Sequence, residues 1–284
     1  MSALPIIARR RRLLPRNPLV LVGGMLVVLQ VLLAVGAPIF APYDPLDQSI
    51  LDRMQGPSAK HWLGTDRFGR DILSRIIYGY RASFGIAASA VAIALVIGGT
   101  LGIVSAVYRG WTDRVIMRLM DVLFAFPIIL LAIGIIAILG PGAVTTAAAI
   151  GIVYIPIFAR LLRAPTLVIA ATEYVEGARA IGAGTGRIIV SHILPNLTSV
   201  ILVQASLSLS TAILVEASLS FLGIGSQPPD PSLGRMLSEA REYLLLSPWD
   251  SVFSGLAILL ASFGFNLLGD GLRDALDPRL RGSE

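Results

Sequence analysis

The sequence predicts an all-α, polytopic membrane protein, because its composition is too apolar for a soluble domain of its length. Of 284 residues, 55% are hydrophobic and only 14% are charged, and the mean hydropathy is +0.78. A helix needs roughly 20 apolar residues to cross a hydrocarbon core of about 30 Å. Six stretches meet this requirement, and we expect six transmembrane helices near residues 18–40, 82–107, 119–139, 143–163, 197–224 and 251–269.

Two of these stretches need separate justification. The first, residues 18–40, follows a basic segment and could be mistaken for a cleaved secretory signal. It is longer than the apolar region of a signal, which runs about 7 to 15 residues, so we interpret it as an uncleaved anchor. The fourth contains Pro156 and Arg160. A proline is tolerated in a membrane helix when neighbouring groups satisfy the freed carbonyl.

Basic residues predict the orientation of the chain. With residues 1–17 inside, six spans also place residues 273–284 inside, and 15 of the 23 Lys and Arg residues fall on that side. Basic residues near membrane ends are retained in the cytoplasm. We therefore expect both termini to be cytoplasmic. The net charge of +5 then reflects the orientation of the chain in the membrane, and nucleic acid is not an expected partner.

The outer segment, residues 41–81, contains apolar residues at helical spacing in HWLGTDRFGRDILSRIIYGYR. This pattern predicts an amphipathic helix at the outer interface, with Thr65 or Asp66 as N-cap. The acid-first spacing also predicts the helical pairs Asp66 with Arg70 and Asp71 with Arg75. Two functions remain open for this helix. It either anchors the start of the second span, or it meets an external partner and shapes the pore entrance.

A cytoplasmic segment, residues 172–195, combines charged residues, glycines and a proline in a way that a membrane helix would not tolerate. Thr172 can cap a short helix whose first turns hold Glu173 and Glu176, where the positive end of the helix dipole favours acids. Small residues follow, and Gly182 begins a glycine-rich bend.

We expect a second helix, residues 187–194, which ends at Pro195. The segment is thus predicted to be a helix, a sharp bend and a second helix, a shape suited to a groove on a soluble partner. An ordinary connector between two spans is the alternative.

Several motifs in this order resemble the permeases of ATP-binding-cassette (ABC) importers. Glu176-Gly177-Ala178, Gly182 and Leu194-Pro195 are similar to the coupling loop through which a separate ATPase drives the permease. The loop departs from the family pattern at Gly177, where alanine is usual, and at His192, where an apolar residue is usual. Segments 64–83, 117–127, 216–225 and 266–280 resemble the dipeptide, oligopeptide and nickel branch, and within it the C-type permease.

This resemblance implies a type I ABC importer permease fold, with residues 82–272 as a five-helix core. It also implies partners: a second homologous permease, two ATPase subunits that bind ATP and Mg²⁺, an extracytoplasmic substrate-binding protein and membrane lipid. The location implied is the cytoplasmic membrane of a bacterium or archaeon. Peptide is the expected substrate, with a nickel chelate or another small solute as the alternative. The coupling residues would be Glu173, Glu176, Gly177, Ala178, Arg179, Gly182, Leu194 and Pro195.

Two acidic residues fall within predicted spans, where burial of a charge costs about 2.5 to 3.5 kcal/mol on insertion scales. Glu216 lies toward the outer end of the fifth span, and either a structural pairing or a role in the pore is open for it. Asp121 lies near the cytoplasmic start of the third span. We expect it to pair with Arg118 or a helix end.

No catalytic constellation is recognisable in the sequence. The single lysine, Lys60, is not part of a phosphate-binding loop, and the two histidines, His61 and His192, lack the spacing of a zinc protease. Cysteine is absent. We therefore expect a transport subunit without its own cofactor or enzymatic activity. An intramembrane enzyme and an energy-independent channel are the competing classes.

Overall fold

Eleven α-helices build most of residues 18–276, the part of the chain that the computed structural model describes. The predicted cytoplasmic segment 1–17 and residues 277–284 of the predicted C-terminal segment lie outside this range. The all-α fold class is confirmed. Five helices are long and apolar enough to cross a membrane: α1 (Pro18–Val35), α3 (Ile72–Tyr108), α6 (Ala143–Ala170), α9 (Leu194–Phe221) and α11 (Trp249–Leu276).

The remaining span is broken. The sequence predicts one helix over 119–139, but the chain forms two helices that meet at 91°. Pro127 explains the break, because proline has no N–H to donate and disfavours helical backbone at the residue before it. A sixth crossing exists only if both helices form one bent span. The shorter helices are α2 (Ala37–Phe40), α4 (Gly110–Phe124), α5 (Ile128–Leu139), α7 (Glu173–Ala180), α8 (Thr185–Ile188) and α10 (Leu233–Ala240).

Among the described helices, α3 and α6 share the most extensive contact. A Cβ atom at Gly98 would collide with the carbonyl oxygen of Ile155, and one at Gly102 with that of Ala159. Gly98 and Gly102 therefore allow a backbone-to-backbone contact between the two spans, as is common where small residues line membrane helices. Because 98 faces 155 and 102 faces 159, the two helices run parallel.

This parallel pairing gives the bundle two distinct ends. At one end α3 leads into α4 and α6 leads into α7, and Arg163 of α6 donates two hydrogen bonds of 2.6 Å to Asp113 of α4. At the other end the start of α3 meets α10, where Gly79 packs against Leu233. We call these the α7 end and the α10 end.

A second group of spans packs beside this pair. α1 lies antiparallel to α11, since Gly23 contacts the backbone of Leu267 and Leu268 while Gly271 contacts Val20. Ser210 of α9 donates a 2.8 Å hydrogen bond to the carbonyl of Ser262 in α11. The other face of α1 is exposed and apolar, as expected for a helix in contact with lipid.

The outer segment differs from its prediction. Residues 41–71 are irregular apart from one 3₁₀ turn at Ile50–Asp52, and the helix begins only at Ile72, with Asp71 as N-cap. The carboxylate of Asp71 accepts a 2.8 Å hydrogen bond from the amide of Ser74. The helical spacing upstream is misleading because Gly69 has a φ of 77° and ends a tight turn.

The predicted amphipathic helix is therefore the first part of α3 itself, and not a separate element. Thr65 and Asp66 are not its N-cap. Its apolar face is buried, but so is much of its polar face. Asp71 pairs with His61 at 3.0 Å and not with Arg75, whereas the predicted pair of Asp66 with Arg70 forms at 2.6 Å.

The contact between α3 and α6 predicts a large effect of one substitution. Gly102→Val places a branched side chain against the backbone of α6, and over-packing of this kind costs about 1–3 kcal/mol. We expect a lower unfolding temperature of the purified chain in detergent, measured by scanning fluorimetry. Gly255→Val, in α11 where no neighbour lies within 4 Å of the added Cβ, is the matched control. Equal unfolding temperatures for the two variants would contradict this packing.

Candidate functional site

The segment 172–195 forms an exposed structure that we call the α7–α8 elbow. Thr172 occupies the N-cap position of α7, as predicted, but its hydroxyl does not cap the helix. It donates instead to the carbonyl of Ile169 at 2.6 Å. Glu173 and Glu176 lie in the first turn and are exposed. The positive end of the α7 dipole thus carries two carboxylates that face solvent.

Gly182 makes the bend. It has a φ of 86° and donates to the carbonyl of Arg179 at 3.0 Å. The next amide, that of Ala183, donates to the carbonyl of Ala178 at 3.0 Å. This pair of bonds is a Schellman motif, which favours glycine at the left-handed position. Gly184 and Gly186 also lie in this glycine-rich segment but have ordinary φ values, so the backbone conformation requires glycine only at Gly182.

The second helix of the elbow does not end at Pro195. After α8, residues Ile189–Ile193 form a π-helical turn that continues directly into α9. Pro195 lies in the first turn of α9. A π turn shifts the hydrogen-bond register, which accommodates the N–H that proline lacks. The prediction that Pro195 terminates a helix is therefore wrong, and the elbow is continuous with the fifth span.

The inner face of the elbow is anchored to the spans. Val175 of α7, Ile188 of α8 and Ile193 of the π turn are buried. They form one apolar cluster with residues at the ends of α3 and α6 and the start of α9. The elbow therefore shares one apolar cluster with three spans.

The outer face of the elbow contains an apolar residue that the sequence analysis missed. Ile181, immediately before the bend, is 87% exposed. One feature of the sequence indicates this exposure. Ile181 is a large apolar residue within a run of small residues, so it does not belong to an apolar helix face that could be buried. Of the predicted coupling residues, Ala178 and Leu194 are half-buried and the others are exposed: Glu173, Glu176, Gly177, Arg179, Gly182 and Pro195.

The two predicted intramembrane charges lie at different ends. Asp121 is at the α7 end and accepts a 2.6 Å hydrogen bond from Arg160, so its partner is not Arg118 as expected. Glu216 is fully buried in α9, where one carboxylate oxygen accepts a 2.7 Å hydrogen bond from Ser220. The Ser220 hydroxyl in turn accepts from the amide of Ser226 at 3.2 Å. This chain of contacts fixes the segment that follows α9.

Residues 98–282 match the family described as binding-protein-dependent transport system inner membrane component. The chain belongs to this family. Residues 8–57 match a second family, the N-terminal transmembrane domain of oligopeptide transport permease C. The protein is thus the membrane-spanning permease of a binding-protein-dependent importer.

Curated relatives match this permease over nearly its whole length. It is 46% identical to the dipeptide transport system permease protein DppC of Alkalihalophilus pseudofirmus over 268 residues, or 94% of this chain and 88% of that protein. It is 47% identical to the glutathione transport system permease protein GsiD of Pectobacterium atrosepticum over 267 residues, or 94% and 89%.

A solved structure supports the fold. The inward-facing MetNI methionine ABC transporter superimposes on the permease with a TM-score of 0.59, covering 72% of this chain and 98% of that chain. The sequence identity is 17%, so this likeness concerns the fold alone. It agrees with the type I importer permease fold that the motifs implied.

At the α10 end, the permease contains a buried ionic cluster. Asp66, fully buried, accepts hydrogen bonds from Arg70 at 2.6 Å and Arg75 at 2.5 Å. Glu239 of α10 accepts from the same two guanidinium groups at 3.0 and 3.2 Å, and from Arg235 at 2.9 Å. The cluster joins the outer segment, the start of α3 and α10 into one unit.

The electrostatics of this cluster favour the charged form of Glu239. Burial works to raise the pKa of this carboxyl, but the positive charges of Arg75, Arg70 and Arg235 outweigh it and lower the pKa below its usual value. Glu239 therefore remains ionised to a lower pH than a free glutamate. Together with Asp66, it balances the charges of Arg70 and Arg75, whose guanidinium groups are largely removed from water.

Glu239→Gln should destabilise the α10 end. Removal of one partner from a buried ion pair costs about 3–5 kcal/mol, because the remaining charge stays buried without compensation. We expect faster proteolysis within residues 41–71 of the purified permease in detergent. Glu242→Gln is the control, since that side chain is 65% exposed and bonds only Arg67, and exposed pairs contribute about 0–1 kcal/mol. Equal cleavage rates for both variants would refute the role of the cluster.

Proposed function

We propose that this permease forms one half of a peptide translocation path and that partner ATPases drive it through the α7–α8 elbow. The observation that carries the proposal is the construction of the elbow. One face is apolar and anchored to three spans, while the other is exposed and presents Ile181 beside a glycine bend. A passive channel or carrier has no need for such an element. The structure of the elbow therefore favours a permease that receives mechanical work from a soluble partner.

The transmission path follows from the contacts. A force on α7 reaches Val175, which belongs to the same apolar cluster as Ile103 of α3 and Leu162 of α6. A force on α8 reaches α9 through the π turn, because no loop lies between these helices. Since rigid helices move as units, motion of the elbow changes the tilt of the spans. Alternating access would result from such motion in two facing permeases.

The α7 end is assigned to the cytoplasm. Arg109, Arg114, Arg160, Arg163 and Arg179 all belong to this end, and such enrichment is typical of cytoplasmic membrane ends. This orientation places the elbow where ATP is available. It also places residues 41–71 and α10 outside, where a substrate-binding protein would dock.

The complete transporter would contain this chain and four partner subunits. A second homologous permease would close the path, because a single chain of five or six spans does not surround a pore. Two ATPase subunits would bind ATP and Mg²⁺, and this chain would supply no cofactor site of its own. An extracytoplasmic binding protein would deliver the substrate. The family description, which names dependence on a binding protein, supports this last partner.

Peptides are the substrate class that the relatives favour. One relative is named for dipeptide transport and another for glutathione transport, and glutathione is itself a small peptide. A nickel chelate or another small solute is the alternative within the same branch. Peptide-stimulated ATP hydrolysis by the complex purified from native membranes would support peptide, whereas stimulation by a nickel chelate alone would support the alternative.

Gly182→Val should separate ATP hydrolysis from transport. A β-branched residue is strongly disfavoured at a φ of 86°, so the turn that orients α7 against α8 must change. We expect normal assembly with the ATPases, continued ATP hydrolysis and a loss of at least tenfold in peptide uptake by proteoliposomes. Gly255→Val is the control for a general effect of added volume. Full uptake by Gly182→Val would argue against the bend as a hinge.

Ile181→Ser should weaken ATPase binding. Burial of a large exposed apolar side chain in a partner groove commonly contributes more than about 1 kcal/mol, so we expect roughly tenfold lower affinity for the ATPase pair in detergent. The matched control is Ile50→Ser, at the α10 end, where Ile50 is 76% exposed. If both variants retain the ATPases equally, Ile181 does not contact them.

A further inference from the structure

We propose that a cationic pocket between α4 and α6 binds the headgroup of an anionic phospholipid from the cytoplasmic leaflet. The pocket lies at the α7 end and has a volume of about 600 Å³. Nothing in the coupling mechanism above uses it. Its lining includes Trp111, Arg114, Arg118, Arg163, Asp113 and Asp121.

The charges of the pocket do not balance. Asp113 is occupied by Arg163 through two hydrogen bonds of 2.6 Å, and Asp121 is bound by Arg160 at 2.6 Å. Both acids are thus already neutralised. Two arginines, Arg114 and Arg118, form no salt bridge within residues 18–276. The pocket therefore presents an excess of two positive charges and has no acid left to neutralise them.

The position of Arg114 suits a headgroup. Its guanidinium lies over the indole ring of Trp111, 5.4 Å from the ring centroid, and its Nε donates to the carbonyl of Gly110 at 3.4 Å. Neither contact removes its charge. Trp111 is 72% exposed, and exposed tryptophans of membrane proteins concentrate at the level of the lipid headgroups.

The helix that carries these residues has the form of an interfacial helix. α4 meets α5 at 91°, so the two helices cannot both follow the membrane normal. Apolar residues on α4 are exposed as well, with Leu119 at 57% and Val122 at 55%. Apolar side chains beside free arginines match the acyl chain and the phosphate of one lipid molecule. Basic pockets of this kind on the cytoplasmic side bind anionic headgroups.

The test compares lipid binding by assembled transporters. The complex, purified in detergent, is titrated with phosphatidylglycerol or phosphatidylcholine, and bound lipid is measured by native mass spectrometry. We expect the double variant Arg114→Gln/Arg118→Gln to bind phosphatidylglycerol about thirtyfold more weakly, the change that two arginine contacts produce near a membrane surface. Binding of phosphatidylcholine should not change.

Two further variants make the result specific. Arg114→Lys/Arg118→Lys keeps both charges and should retain most of the preference for phosphatidylglycerol. Arg53→Gln/Arg241→Gln removes two exposed arginines from the α10 end and should behave as the unmodified complex.

Two outcomes would overturn the proposal. One is equal binding of phosphatidylglycerol by the Arg114→Gln/Arg118→Gln variant and the unmodified complex. The other is loss of the second permease from the variant while its lipid binding is unchanged, since the pocket would then face a protein. Peptide uptake is measured separately, so failure of the lipid site leaves the proposed function untouched.

Discussion

The rest of the structure depends on the close contact between α3 and α6. Gly98 and Gly102 let the backbone of α3 touch that of α6, and the register of this contact fixes which residues meet at each end. At the α7 end it places Arg163 against Asp113. Lipid provides no hydrophobic force to hold two helices together, so the fold relies on close van der Waals contact between small residues.

The two ends of this helix pair are held by different forces. At the α10 end, Asp66 and Glu239 hold the guanidinium groups of Arg70 and Arg75 in an ionic cluster that excludes most water. Such a cluster has one arrangement of low energy, because any displacement leaves a buried charge without a partner. At the α7 end, the elbow is attached chiefly through apolar side chains such as Val175. Apolar contacts are not directional, so the elbow is the end better suited to movement.

The same helices thus have a rigid α10 end and an α7 end that is better suited to movement. The family assigns the chain to importers that depend on a binding protein, and such a protein needs a defined outer surface on which to dock. In the orientation that we propose, the α10 end would provide that surface. Work from ATP hydrolysis would enter through the opposite end, where α8 continues through the π turn into α9. The bent helices α4 and α5 lie beside this path, and the arginines of α4, Arg114 and Arg118, provide the proposed separate contact with lipid.

The sequence by itself determined the fold class, the places of five spans and the bend at Gly182, because apolar length and backbone conformation are local properties. Pairing was different. Side-chain pairing and exposure depend on which helices meet and in what register. Examples are the pairing of Asp121 with Arg160, the pairing of Glu239 with Arg75 and the exposure of Ile181. The 91° break before α5 and the π turn before Pro195 also appeared only in three dimensions. Proline indicates where a helix is perturbed, but packing decides whether the chain breaks there or continues.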